Sequence, residues 1–291
     1  MSDRARGVVI VSGATSGIGL ACALDLCARG FTVVAGGRDP ATLAALERRA
    51  VAGLVPCRLD VTDAESVATA VRRAEVLAAG RGLAGLVNNA GLSLLGPLEL
   101  QPLAHLQAML DVNVTGAVRL TQQALPGLRQ GRGRVVFLGS IAGLSALPFL
   151  GAYSASKYAL EAIADALRVE VAPWGIEVAI VEPGTVDTPI GDTALASLDA
   201  VTATPEGAAR YGRAIAAFRR SVTKAIGQAL PPATVADAIA RALTARRPRT
   251  RYLVGREARQ RVWLKRLLSD RLHDRAVRMV TGLPGRATNE A

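Results

Sequence analysis

The chain has 291 residues, of which 50% are hydrophobic and 20% are charged. This composition excludes disorder over most of the chain and suits one large α/β domain, although the length also allows two small ones. Three cysteines and two histidines form no metal-ligand cluster, and an odd cysteine count argues against a secreted disulfide framework. No apolar segment precedes the first predicted strand, so we expect no secretory signal and a cytoplasmic protein.

The formal net charge of +11 is unevenly distributed along the chain. Residues 241–291 hold 14 basic and 4 acidic side chains, whereas residues 1–240 are nearly neutral. The basic character therefore belongs to a C-terminal segment, which is typical of an attachment or interaction device. A nucleic-acid binder, suggested by the pI of about 10.6, is disfavoured by the neutral body and by an aromatic content of only 3%.

Short β-branched runs alternate with Ala/Leu-rich segments of helical period, a pattern that predicts a parallel sheet covered by helices on both faces. Strands are predicted near residues 8–12, 31–36, 54–58, 84–88, 134–139, 176–181 and 251–254. Helices are predicted at 17–29, 40–51, 63–79, 102–129, 153–171 and 232–245. Residues 185–230 form an insertion at the carboxyl edge of the sheet, where open α/β folds bind ligands.

The first predicted strand runs into the glycine-rich turn Ser12-Gly13-Ala14-Thr15-Ser16-Gly17-Ile18-Gly19. Glycine is required there because a Cβ would keep a pyrophosphate away from the N-terminus of the following helix, where free N–H groups favour anions. Taken alone, the motif also fits an ordinary glycine-rich turn. Its position after the first strand favours cofactor binding. The candidate residues of this turn are Ser12, Gly13, Thr15, Ser16, Gly17, Ile18 and Gly19.

A second group comprises Tyr153 and Lys157 in one predicted helix, with Ser140 at the end of the preceding strand. Four-residue spacing places the phenol and the ammonium on one helix face, where the cation can stabilise a phenolate. For an isolated pair of this kind, an ordinary amphipathic helix face is the alternative interpretation.

Together, these motifs resemble those of the short-chain dehydrogenase/reductase family over nearly the whole chain. The matching stretches are the glycine turn, Leu59-Asp60-Val61-Thr62, Asn88-Asn89-Ala90-Gly91, Asn113, Ser140, Tyr153 with Lys157, and Pro183-Gly184. Ser12 departs from the usual threonine but keeps a hydroxyl. The resemblance implies nicotinamide-dependent oxidoreduction on a single seven-stranded, doubly wound Rossmann-type domain, residues 1–255, followed by a basic extension, residues 256–291. Homo-oligomers are common in the family.

The resemblance also implies a role for each catalytic candidate. Tyr153 would be the general acid in carbonyl reduction and the general base in alcohol oxidation. Ser140 would hydrogen-bond the substrate oxygen, and Lys157 would lower the pKa of Tyr153 and hold the nicotinamide ribose. Asn113 would order a water molecule that relays protons to Lys157, although it could instead satisfy backbone groups in a helix kink.

Further cofactor contacts are implied by the same resemblance. Asp60 would hydrogen-bond the adenine amino group, and Val61 would pack on the adenine ring. The remaining cofactor candidates are Asn89, Ala90, Gly91, Tyr153, Lys157, Pro183, Gly184 and Thr188. A catalytically idle, cofactor-binding regulator on the same fold is the rival function, and the intact set of Ser140, Tyr153 and Lys157 disfavours it.

The end of the second predicted strand favours NADP(H) over NAD(H). An NAD-preferring site usually places a carboxylate there, which would repel a 2′-phosphate, but the chain has Gly37 at this position. The neighbouring Arg38 can grip the phosphate through its guanidinium, aided by the hydroxyl of Ser12 or Thr15. The alternative is a solvent-facing Arg38, with Asp39 capping the next helix.

Residues 147–153, 157–161 and 248–255 resemble the hydroxysteroid and retinol dehydrogenase branch of the family, which implies a small lipophilic alcohol or ketone as substrate. Apolar residues expected around such a substrate, each equally compatible with core packing, are Leu92, Leu94, Leu95, Leu144, Leu147 and Phe149.

Residues 256–280 have helical period, with apolar side chains including Val262, Trp263, Leu264, Leu267, Leu272 and Val280 predicted to lie on one side. One interpretation is a helix whose apolar stripe packs on the body beside the substrate cleft while its arginines are solvated. The other is a basic amphipathic helix in peripheral contact with an anionic membrane surface.

Overall fold

The computed structural model describes residues 6–281 and residue 283. Its centre is a parallel sheet of seven strands in the order β3-β2-β1-β4-β5-β6-β7. All seven strands predicted from the sequence are confirmed to within two residues. They are β1 (Val8–Val11), β2 (Thr32–Gly37), β3 (Leu54–Arg58), β4 (Leu83–Asn88), β5 (Arg134–Leu138), β6 (Glu177–Pro183) and β7 (Arg251–Val254).

The helices connect the strands and cover both faces of the sheet. They are α1 (Gly17–Ala28), α2 (Pro40–Glu47), α3 (Ala64–Ala78), α4 (Leu103–Leu110), α5 (Gly116–Gly131), α6 (Gly151–Val171), α7 (Ile190–Thr202), α8 (Pro205–Ile226), α9 (Pro232–Thr244), α10 (Arg256–Leu267) and α11 (Asp270–Thr281). Short polar side chains fix several helix starts. The carboxylate of Asp39, for example, accepts from the backbone N–H groups of Ala41 and Thr42, so Asp39 is the N-cap of α2 and Pro40 follows it at the start of the helix.

Successive side chains of each strand enter two different cores. On β1, Val8 and Ile10 join a core formed with α3, α5 and α6, while Val9 and Val11 join one formed with α1, α2 and α9. Because both faces are buried, the strands consist of continuous apolar runs, as in other parallel sheets. The doubly wound fold predicted from the sequence is therefore confirmed.

The helix predicted at residues 102–129 is interrupted. Between α4 and α5, Asp111–Thr115 forms a π-helical turn, which brings the buried Asn113 toward the loop after β4. Insertions of this kind are commonly found at functional sites. A π-helical turn adds only one residue to a helix, and the spacing of apolar residues does not reveal it. The sequence therefore predicted a continuous helix.

The insertion at residues 185–230 contains α7 and α8, which pack together through a third apolar core that includes Leu198, Phe149 and Phe218. The single helix predicted at 256–280 is two helices, α10 and α11, because Leu268 is in extended conformation and turns the chain. The apolar stripe predicted on one side is divided as a result: Val262 is buried, whereas Trp263, Leu267 and Leu272 are exposed. The side chain of Val280 and residues 284–291 lie outside the described part of the chain.

Within the described residues, none of the helices combines the length and the hydrophobicity that crossing a membrane requires.

A buried charge network joins α6 to the last two strands. The guanidinium of Arg251 on β7 pairs with Glu161 and Asp165 of α6 and with Glu182 of β6, whose side chain is fully buried. Burial raises the pKa of Glu161, and the neighbouring charge of Glu182 raises it further, against the attraction of Arg251. Ionisation of Glu161 is therefore less favourable in the folded chain than in the unfolded chain.

This network predicts a pH-dependent stability difference. A raised acid pKa contributes stability that is present below the unfolded-state pKa and is lost as pH rises through the folded-state pKa. Relative to Glu161→Gln, the wild type should therefore lose about 1 kcal/mol or more of unfolding free energy between about pH 5 and about pH 8. Urea denaturation measures the difference, with the exposed Glu177→Gln as control. A Glu161→Gln difference that stays constant with pH would contradict the assignment.

Candidate active site

A first cavity of about 250 Å³ lies where the strand order reverses between β1 and β4, at the carboxyl ends of the strands. Ligands of open α/β folds bind in this position. Most of the cofactor candidates predicted from the sequence line it. They are Gly13, Thr15, Ser16, Gly17, Ile18, Gly19, Arg38, Asp60, Val61, Asn89, Ala90, Gly91 and Thr188.

The glycine turn has the shape that a dinucleotide pyrophosphate requires. A Cβ on Gly13 would lie 3.0 Å from the backbone of Ala90, and a Cβ on Gly19 would lie 2.1 Å from the carbonyl oxygen of Gly13. Gly13 and Gly17 also have positive φ angles, which L side chains rarely adopt. Together with the N-terminus of α1, this close backbone approach fits a nicotinamide dinucleotide.

Ser12 has a different role from the predicted one. Its buried hydroxyl donates to the carbonyl of Val87 and accepts from the backbone N–H groups of Asn89 and Ala90, each at 3.0 Å. The side chain is therefore committed to joining the ends of β1 and β4 and does not line the cofactor cavity. The Asn89 amide completes the joint by donating to the carbonyls of Ser12 and Gly13.

The cavity has one positive and one negative side chain near the end of β2. Arg38 and Asp60 both line it beside Gly37. Arg38 is also exposed and the Asp39 carboxylate caps α2, as the alternative interpretation of the sequence expected. Burial by itself would raise the pKa of Asp60. Hydrogen bonds from Thr62 and the nearby charge of Arg38 outweigh burial and hold that pKa below its usual value. Asp60 is therefore an ionised acceptor.

A second cavity of about 590 Å³ adjoins the first and contains the catalytic candidates Ser140 and Tyr153. The two cavities share the lining residues Thr188, Pro189 and Ile190, at the start of the insertion. Most of the wall is apolar and comes from α7, α8, α10 and α11. The size and the lining suit a small organic ligand.

Tyr153 and Lys157 have strongly shifted pKa values. Burial raises the pKa of Tyr153 to about 12, and the nearby hydroxyl of Ser140 opposes that rise. Burial lowers the pKa of Lys157 to about 8, and the charge of Glu161 opposes that change. The Lys157 ammonium lies 5.7 Å from the centre of the Tyr153 ring and donates to the carbonyl of Leu138 at 2.8 Å. Desolvation of the phenol therefore dominates its pKa here, and the lowering of that pKa by Lys157 stays a prediction.

Asn113 holds the backbone in place. Its amide donates to the carbonyl of Leu92 and to the hydroxyl of Ser156, and its side-chain oxygen accepts from the N–H of Leu92 at 2.7 Å. The alternative interpretation from the sequence, in which Asn113 satisfies backbone groups at a helix kink, describes these contacts. A Cβ on Gly91 would lie within 4 Å of both the Asn113 oxygen and the Lys157 nitrogen, so these two side chains are close together.

The predicted substrate residues are divided between the cavity and its surroundings. Leu147 and Leu95 line the second cavity, together with Gly184. The other predicted residues are not among its lining, because they belong to the loops and the core behind it. These are Leu92, Leu94, Leu144 and Phe149, as well as the cofactor candidate Pro183 at the end of β6.

Sequence reasoning missed the residues that the insertion and the C-terminal helices contribute to the cavity. Leu195, Val222 and Ala225 come from α7 and α8, and Arg261 and His273 come from α10 and α11. The position of the insertion at the carboxyl edge of the sheet was the available signal for the first group. The interpretation of residues 256–280 as a segment that packs on the body beside the cleft agrees with the second group, but no local pattern singled out Arg261 and His273.

The fold and the paired cavities define a Rossmann-type oxidoreductase. The chain belongs to the short-chain dehydrogenase family, since the family model described as short chain dehydrogenase matches residues 7–198.

Retinol dehydrogenase 5 from Homo sapiens is 39% identical over 266 residues, which cover 88% of this chain and 82% of that protein. The human 17-beta-hydroxysteroid dehydrogenase type 1 is 42% identical over 207 residues, covering 68% of this chain and 62% of that protein.

Solved structures show the same fold. A short chain dehydrogenase from Burkholderia cenocepacia in complex with NADP has a TM-score of 0.71 and 26% identity, covering 98% of this chain and all of that one. A short chain dehydrogenase/reductase from Burkholderia phymatum in complex with NAD has a TM-score of 0.76 and 25% identity, covering 91% of this chain and 95% of that one.

Proposed function

We propose that this oxidoreductase interconverts an alcohol and a carbonyl on a small lipophilic substrate, uses NADP(H), and has Tyr153 as general acid/base. The observation that carries the proposal is the connection of the two cavities. The larger, mainly apolar cavity contains Tyr153 and Ser140 and shares three lining residues with the glycine-rich cavity. The relatives named retinol dehydrogenase and hydroxysteroid dehydrogenase support a lipophilic alcohol or ketone.

The electrostatics of the site suit carbonyl reduction. A phenol whose pKa is raised by burial remains protonated at neutral pH, so Tyr153 can donate a proton to the substrate oxygen as negative charge develops there. Ser140 can stabilise the same oxygen by donating a hydrogen bond. Lys157, buried behind the phenol, favours the phenolate that remains after the proton has left.

Most of the residues for holding the cofactor line the first cavity, and Lys157 donates to the carbonyl of Leu138, which lines it too. The glycine turn and the N-terminus of α1 would bind the pyrophosphate, Asp60 and Val61 the adenine, and Lys157 the nicotinamide ribose. Hydride donation or acceptance is the chemistry that this group supplies when bound.

Substitution of Tyr153 by Phe tests the catalytic proposal. Removal of the hydroxyl deletes the proton donor and preserves the ring, so we expect kcat to fall by about 100-fold or more while NADPH affinity stays within about twofold. Turnover is measured on a panel of retinoids, steroids and aliphatic ketones. Tyr158→Phe, on the same helix but 43% exposed, is the matched control. Retention of most of kcat in Tyr153→Phe would refute the role, and a wild type that binds NADPH but reduces nothing would favour the idle regulator.

The preference for NADP(H) rests on Gly37 and Arg38. Gly37 leaves the end of β2 without a carboxylate, and a Cβ there would lie 2.4 Å from the Thr15 methyl group, so the position cannot accept a larger side chain without rearrangement. Arg38 lines the cavity beside Thr15, where a guanidinium and a hydroxyl can both contact a 2′-phosphate.

Arg38→Ala should weaken NADPH binding by about tenfold or more and leave NADH binding nearly unchanged, because only NADPH carries the phosphate. Fluorescence titration of both cofactors measures the effect. Arg49→Ala, at an exposed position just beyond α2, controls for the loss of one positive charge. Equal effects of Arg38→Ala on the two cofactors would contradict the assignment.

The outer face of the C-terminal helices supports peripheral contact with an anionic membrane. Trp263 is 65% exposed, Leu267 is 72% exposed and Met279 is 78% exposed. Arginines interleave with these apolar side chains on α10 and α11. Such a face can insert apolar groups while its cations bind anionic headgroups. Because α10 and α11 also line the substrate cavity, this contact would bring a lipid-soluble substrate to the site.

Sedimentation with vesicles tests this contact. The wild type should bind vesicles containing phosphatidylserine at low salt, release at high salt, and bind phosphatidylcholine vesicles poorly. Leu267→Ser should reduce binding by about threefold or more. Val76→Ser on α3, at a position that is also 72% exposed, should not. Absence of salt-sensitive binding would refute the proposal.

A further inference from the structure

A polar cluster lies within the otherwise apolar wall of the second cavity. The guanidinium of Arg261 on α10 donates from Nη2 to the carbonyl of Ser145 at 2.7 Å and from Nε to the Ser145 hydroxyl at 3.3 Å. The ring of His273 on α11 lies 3.3 Å from the same hydroxyl. Ser145 is fully buried, and Arg261 and His273 both line the cavity. The cluster therefore presents hydrogen-bonding groups to a bound substrate.

The charge of Arg261 is not neutralised within the described part of the chain. The ion pairs found there include none to its guanidinium, and Glu257, one turn earlier on α10, acts on it only at longer range. The carboxylates that reach the cavity, those of Glu257, Asp187 and Asp192, belong to exposed residues, which water screens.

Burial disfavours the charged form of Arg261. Desolvation lowers the pKa of Arg261, and the charge of Glu257 only partly opposes that change. Burial also lowers the pKa of His273, and the charges of Lys265 and Arg261 lower it further against those of Asp274 and Asp270, which favours the neutral ring, able to donate or accept a hydrogen bond. Arg261 is partly buried, and a partly desolvated cation without a counterion is destabilised, so a ligand that supplies a negative charge would be bound favourably there.

We propose that Arg261, assisted by His273, binds an anionic group of the substrate, so that the natural substrate is an amphipathic molecule with an apolar body and a carboxylate, sulfonate or phosphate. The planar guanidinium still has donors beyond the two that contact Ser145, and it matches such oxyanions well. The inference rests on the proposed function and deepens it, since it names the substrate class of the same cavity.

A purely structural role is the competing explanation. In that case the hydrogen bonds of Arg261 would only hold α10 against the loop that contains Ser145. This loop follows Ser140 in the chain. Loss of the side chain would then affect neutral and anionic ligands equally. The selectivity between a charged ligand and its neutral analogue therefore distinguishes the two roles, and overall affinity does not.

The test measures binding of laurate and 1-dodecanol by calorimetry, which requires no turnover. The wild type should prefer laurate. Arg261→Gln should weaken laurate binding by about tenfold or more and leave dodecanol binding within about twofold, because only laurate carries the charge. Arg261→Lys should retain part of the preference, and His273→Gln should reduce it less than Arg261→Gln. Arg259→Gln, exposed on the same helix, is the matched control and should change neither.

The outcomes separate this inference from the proposed function. No preference for laurate in the wild type, or equal losses for both ligands in Arg261→Gln, would overturn the inference even if neutral ketones are reduced. Arg261-dependent laurate binding without reduction of any carbonyl would support the anion site and refute the proposed function. If Arg261→Gln does not fold, as judged by its melting temperature and NADPH affinity, the wild-type comparison and Arg261→Lys still decide.

Discussion

The hydrogen bonds between the ends of β1 and β4 are the constraint on which the site depends. The Ser12 hydroxyl and the Asn89 amide fix the two strand ends at the point where the strand order reverses. This joint sets the turn at Gly13, where the backbone approaches Ala90 so closely that a side chain would not fit. These hydrogen bonds of Ser12 and Asn89 together keep the cradle in the shape in which a dinucleotide can reach the N-terminus of α1.

Burial governs the chemistry in the neighbouring cavity. Packing α6 against β5 and β6 buries Lys157, whose ammonium is held by the Leu138 carbonyl, and the phenol of Tyr153 is desolvated beside it. Desolvation disfavours the charged form of both groups, so the pKa of the phenol rises and that of the ammonium falls. The same helix carries Glu161 into the Arg251 network one turn further on, which links the position of the catalytic candidates to the last strand of the sheet.

The C-terminal helices have two distinct faces. On the inner face, Ala258 and Val262 are buried, and Arg261 and His273 line the substrate cavity. On the outer face, Trp263 and Leu267 are exposed among arginines. The break at Leu268 lets α10 and α11 each turn their own buried side toward the body.

The sequence by itself determined the sheet, the family and most of the cofactor cradle, because these depend on local patterns: runs of β-branched residues, the glycine spacing, and the interval between Tyr153 and Lys157. Only the tertiary structure decided where the hydroxyl of Ser12 bonds, that the helix around Asn113 is interrupted, and which leucines line the second cavity. It also placed Arg261 beside Ser145, 116 residues away along the chain. These features depend on which distant segments come into contact and on how much solvent each contact excludes. Local periodicity in the sequence encodes neither of these.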